Sequence, residues 1–127
     1  MQHIDFSYSA YEELLKVSKK QSDPITFSEA LTTNVSAQVT LLRHDIDLCL
    51  LKALDMARLE NSNAVRSTYF IMTKNPLYSL EEIEFQKVLR EIECLGHEIG
   101  LHFDPRQCAK EKIESSCAML ELDYLAN

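Results

Sequence analysis

The sequence predicts an α/β fold of parallel βαβ units, with three clear strands and a helix ahead of the first. Three observations carry this. Short runs rich in β-branched and aromatic residues alternate with helical patterns of 12 or more residues, the signature of parallel strands joined by right-handed crossovers. Only 2 glycines and 3 prolines occur, too few for a sandwich or barrel of hairpins, when about nine glycines would be usual. The length of 127 residues fits a single domain, 1–127, with one core.

The elements follow in order. Ser9-Ala-Tyr-Glu12 has the spacing of a capping box, and Tyr11, Leu14, Leu15 and Val17 supply an apolar stripe, so a first helix is expected from Ser9 to near Gln21. Asp23-Pro24 ends it. Residues 25–37 are ambiguous, with Phe27 to Leu31 fitting one or two helical turns. Val39 to Arg43 reads as a short buried strand running into His44-Asp45-Ile46-Asp47. Leu48 to Glu60 carries Leu48, Leu51, Leu54, Met56 and Ala57 at helical spacing, and Asn61-Ser62-Asn63 stops it. Val65 to Thr73 is a second strand. Lys74 to Tyr78 is a loop. Ser79-Leu-Glu-Glu82 is a second capping-box pattern, opening a helix faced by Ile83, Val88, Leu89, Ile92 and Leu95, with Gly96 at its C′ position. His97 to Asp104 is a third strand, Pro105 breaks it, and a final helix is expected over Gln107 to Leu125.

Composition excludes several classes. Lys and Arg number 13 against 20 Asp and Glu, a net charge of −7 that repels nucleic-acid backbones and anionic lipid. Two glycines so placed cannot write a phosphate loop. Cys49, Cys94, Cys108 and Cys117 include no CxxC pair, and the first two sit in apolar helical patterns, so buried reduced thiols are expected. No signal peptide and no 18-residue apolar run is legible, which points to a cytoplasmic chain without a membrane span.

Parallel α/β proteins gather functional groups at the carboxyl ends of their strands. Alternation puts Asp45 and Asp47 on one side of the first strand and His44 and Ile46 on the other. Two carboxylates so close repel unless a cation or a proton holds them. In the third strand, Glu98, Gly100, His102 and Asp104 share one face, and Gly100 is expected to leave space beside His102. Asp45, Asp47, His102 and Asp104, on what should be neighbouring strands, thus form a candidate pocket for a divalent metal. Each has a plainer reading: Asp47 is placed to cap the next helix, and a lone strand-end histidine is commonly structural. His97 and His102 are five apart on a strand, not the helical HExxH pair, and His97 is expected to be a packed or capping residue. Tyr69-Phe70 is expected to belong to the core.

Three segments, Leu42 to Asp47, Ser67 to Phe70 and Gly96 to His102, together resemble the polysaccharide deacetylase family, metal-dependent carbohydrate esterases with a distorted (β/α) barrel. The motif-bearing region spans 38–105. The resemblance implies a hydrolase of C–N amide bonds on N-acetylated sugars. It makes Asp45 the general base and Asp47 and His102 ligands of a divalent metal, zinc before other transition metals. Where the family places a second ligand histidine, four residues after the first, this chain has Arg106; Asp104 is the candidate replacement. A closed barrel takes roughly 200 residues or more, so the resemblance covers an N-terminal half and leaves open sheet edges as a route to self-association. The alternatives are a truncated or degenerate deacetylase-like domain that binds a partner without hydrolysis, and a magnesium-dependent phosphohydrolase built on Asp-Ile-Asp.

Overall fold

A computed structural model describes residues 6–32 and 38–102. The elements are α1 (Tyr8–Gln21), α2 (Phe27–Thr32), β1 (Arg43–Ile46), α3 (Leu50–Ser62), β2 (Thr68–Met72), α4 (Ile83–Cys94) and β3 (Glu98–His102). The three strands form an open parallel sheet in the order β1-β2-β3, with Asp45, Phe70 and Gly100 in one register row and Met72 beside His102 two rows on. The expected α/β class and parallel connection are therefore observed. The closed (β/α) barrel is not formed by the described residues.

Helix termini show where local pattern yielded to packing. α1 is capped by Ser7, whose hydroxyl accepts the Ala10 N–H at 3.2 Å, rather than by Ser9. Of its expected stripe only Leu15 is buried, while Leu14 and Val17 face solvent. Ser79 to Glu82 forms a turn, and α4 begins one step later at Ile83, without a side-chain cap. α3 buries Leu50, Ala53, Leu54 and Ala57, so its inner face is rotated away from Leu48 and Leu51, which are 73% and 56% exposed. The helix starts only after the bend at Asp47–Cys49, and that later start sets which residues point inward.

Both crossovers end in Schellman closures. After α4, Gly96 N–H donates to Glu93 O and His97 N–H to Ile92 O, with Gly96 at φ +92°. After α3, Ala64 N–H donates to Asn61 O and Val65 N–H to Glu60 O, and here Ala64 holds the left-handed position at φ 52°.

The core lies between α3, α4 and one sheet face. Leu50, Ala53, Leu54, Ala57, Val88, Leu89 and Ile92 pack on Ile46, Tyr69 and Ile71, each large side chain contributing about 1.5–3 kcal/mol by leaving water. The opposite face carries Arg43, Asp45, Thr68, Phe70, Glu98, Gly100 and His102. Among the described residues it is covered at its amino end by α2. There the Glu98 carboxylate accepts Phe27 N–H at 3.0 Å, Ser28 N–H at 3.2 Å, the Ser28 hydroxyl, and the Thr68 hydroxyl at 2.6 Å. Phe27 meets Phe70 edge-on, with ring centroids 5.4 Å apart.

Two expectations need correction. Cys49 and Cys94 are exposed free thiols, because α3 and α4 turn other residues toward the core. A Cβ on Gly100 would lie 2.7 Å from the Phe70 ring, so the space this glycine leaves is filled by Phe70 and is not a void beside His102. Cys108, Cys117 and the expected helix over 107–125 lie outside the described residues.

Candidate functional site

Strand alternation places Asp45 and His102 as expected on one face, toward the carboxyl end of the sheet, and Asp47 follows just past the end of β1. β1 and β3 are not neighbours, however: β2 runs between them. His102 nonetheless reaches across. Its Nδ1 lies 3.2 Å from Asp45 Oδ1 and its Nε2 lies 3.6 Å from Asp47 Oδ1. The two ring nitrogens thus address two different carboxylates. The Nδ1 is buried and makes no well-directed hydrogen bond, although Asp45 is close. The alternative role for Asp47 is not taken up: Cys49 occupies the N-cap of α3, and that helix has no side-chain cap.

Asp45 has a cationic partner that the sequence reading passed over. Arg43, two residues earlier and therefore on the same face, donates Nε–H to Asp45 Oδ1 at 2.8 Å while its guanidinium stacks 4.3 Å from the Phe70 centroid. Burial works to raise the Asp45 pKa, but the hydrogen bond from Arg43 and the nearby His102 ring outweigh it and hold the carboxyl below its ordinary value. Asp45 is thus ionised at neutral pH and able to accept a proton. An open cleft of about 430 Å³ lies beside it, lined by Asp45, Asp47, Cys49, Lys52 and Met56 among others.

The site offers one complete pair of metal donors. Two ligands on one ion, each about 2.1 Å away, sit roughly 3.0–3.4 Å apart. Asp47 Oδ1 and His102 Nε2, at 3.6 Å, are close to that spacing. Asp45 Oδ1 lies 3.2 Å from the other ring nitrogen, Nδ1. Among the described residues no three His, Cys, Asp or Glu side chains form a cation cage. Asp104 and Arg106 lie outside those residues.

A second polar cluster, which the sequence reading missed, lies on the other sheet face. Glu60 is 0% exposed. Its Oε1 accepts from Tyr11 OH at 2.5 Å and His44 Nε2 at 2.6 Å; its Oε2 accepts from Ser67 Oγ at 2.6 Å and Tyr69 OH at 2.7 Å. Burial alone would raise its pKa, but His44, Ser67 and Tyr11 together bring it down to about 2. His97 completes the cluster, buried as expected. Its Nε2 faces the Ala57 carbonyl at 2.9 Å and must donate, so Nδ1 is the acceptor for Ser67 N–H at 3.2 Å. Burial lowers the His97 pKa and keeps the ring neutral. One signal was available: Glu60 follows Ala53 and Ala57 at the 3.6-residue period, a charge on the apolar stripe.

No helix among the described residues is long and apolar enough to cross a membrane. No protein-family model, curated protein or solved structure matches the chain.

Proposed function

We propose that the chain is a metal-dependent hydrolase of the polysaccharide deacetylase type, acting on C–N amide bonds of N-acetylated sugars, with its sheet serving as three strands of a (β/α) barrel. The observation that supports this reading is the convergence of Asp45, Asp47 and His102 from β1 and β3 at one sheet end. Asp47 and His102 Nε2 would hold a divalent cation, with zinc suited to one carboxylate and one imidazole donor. Such an ion supplies Lewis acidity toward a carbonyl and lowers the pKa of water. Asp45, ionised and held by Arg43, would take the proton from the attacking water. Arg43 keeps the base charged and aimed, and Phe70 keeps Arg43 in place.

The reading is tested with zinc. Titration calorimetry of the metal-free chain should show zinc uptake that falls at least tenfold in Asp47→Asn and His102→Ala. The zinc-loaded chain should release acetate from a chito-oligosaccharide, and Asp45→Asn should abolish this while leaving zinc bound. Negligible zinc uptake by all variants would remove the mechanism. Zinc binding without acetate release would favour a binding domain.

A further inference from the structure

The carboxyl end of β1 is held by two side chains from the loop between β2 and α4, and one of them bridges β1 and β2. The β1–β2 ladder runs with Thr68 N–H donating to Leu42 O at 3.0 Å. The same offset sets Met72 N–H against the Ile46 carbonyl. At this rung Met72 N–H donates to the Tyr78 hydroxyl at 3.0 Å, and the hydroxyl donates to Ile46 O at 2.6 Å. The phenol oxygen therefore bridges the ends of β1 and β2. Tyr78 is 5% exposed and packs edge-on against Phe85, so it is anchored in the core.

One residue further, Asn75 donates Nδ2–H to Asp47 O at 2.8 Å, and its own Oδ1 accepts Leu77 N–H at 2.8 Å. The carboxamide is thus fixed at both ends. Asp47 itself lies past the strand end with a 57% exposed side chain, and Asn75 is the tertiary hydrogen-bond tether of its backbone. Met72, the residue whose amide meets Tyr78, is the register partner of His102. The clasp therefore links the strand end that carries Asp47 to the row that carries His102.

We infer that Tyr78 and Asn75 are positioning residues that fix the end of β1 and aim the Asp47 carboxylate across β2 at His102. The inference deepens the hydrolase reading by naming what sets the two-ligand geometry, and it rests on that reading for its metal consequence only. Outer groups that orient a ligand typically change metal affinity by about 10- to 100-fold when removed.

The test uses the full chain free of metal, at one fixed pH, and follows the His102 imidazole carbon–proton resonance. Asp47→Asn defines how far that resonance moves when the carboxylate is lost. Asn75→Ala and Tyr78→Phe should each move it in the same direction by a sizeable part of that change. Neither should move it further in the Asp47→Asn background. Thermal unfolding and the amide exchange of Met72 serve as controls, since Tyr78→Phe should speed exchange at Met72 without unfolding the chain. In zinc titrations Asn75→Ala should weaken binding about tenfold. A His102 resonance unmoved by both variants overturns the inference, as does an equal movement with or without the Asp47 carboxylate, which would mean general loosening. Failure of the wild type to take up zinc would refute the hydrolase reading alone, leaving the resonance to decide the clasp.

Discussion

Replacing Glu60 by Gln should remove a large share of the stability of this chain. The carboxylate is fully buried and accepts four hydrogen bonds from four different elements or loops. Its descent from the ordinary 4.5 to about 2 corresponds to about 3 kcal/mol of preference for the charged form. Gln keeps the shape but turns an N–H₂ toward two of the four donors, so at least one of Tyr11, His44, Ser67 and Tyr69 loses its acceptor. An orphaned buried donor costs about 1–3 kcal/mol. The expected loss is thus about 3 kcal/mol, out of the roughly 5–15 kcal/mol typical of a domain, and about 10 °C in Tm. Urea unfolding at a series of pH values is the assay. Glu60 is depressed in the folded state, so its contribution is complete above pH 4.5 and fades as pH falls toward about 2. His97 is also depressed, so its neutral form stabilises fully above 6.5 and less as pH falls below that. The wild-type minus Glu60→Gln difference should therefore be flat near neutrality and shrink below pH 4.5. A variant within 1 kcal/mol of wild type at pH 7, with a parallel pH profile, would refute the account.

Other perturbations have distinct signatures. Gly100→Ala drives a methyl against Phe70, which Phe27 and Arg43 hold from two sides, and should cost about 1–3 kcal/mol in urea unfolding; Phe70→Leu in the same chain should recover part of it. The two Schellman positions should respond in opposite senses: Ala64→Gly should stabilise and Gly96→Ala destabilise, each by about 1 kcal/mol, since a Cβ at Gly96 meets only ordinary contacts and the cost lies in the backbone. Equal signs would show that φ is not the deciding quantity. Glu98→Gln weakens the latch that holds α2, so amide exchange at Phe27 and Ser28 should accelerate about tenfold while exchange in α4 stays put; a uniform change would instead mean global destabilisation.

Much of the fold was legible because it depends on local period. β-branched runs marked the strands, although β1 begins at Arg43 rather than Val39 and so takes in His44 to Ile46, read as following it. Gly96 was placed correctly because only a left-handed residue closes that helix end. Capping boxes misled at Ser9 and Ser79, where the spacing was present but the chain entered the helix elsewhere. The buried face of α3 was misread through Leu48 and Leu51, because a helical stripe has no fixed phase until its first turn is docked.

The sequence by itself determined which side chains share a face. Alternation with period 2 is a property of the extended backbone, so Asp45 had to oppose His44, and His102 had to join Gly100 and Glu98, whatever surrounded them. Tertiary structure alone decided what those faces meet. β2 sits between the two site strands, so Arg43, Phe70 and His102 complete the Asp45 environment across strands. Glu60 is a buried carboxylate only because α1, β1 and the start of β2 bring donors to it, and Asp47 faces His102 where Tyr78 bridges the strand ends. Such bonds join residues up to 49 positions apart, and their directional geometry exists only once the sheet has formed.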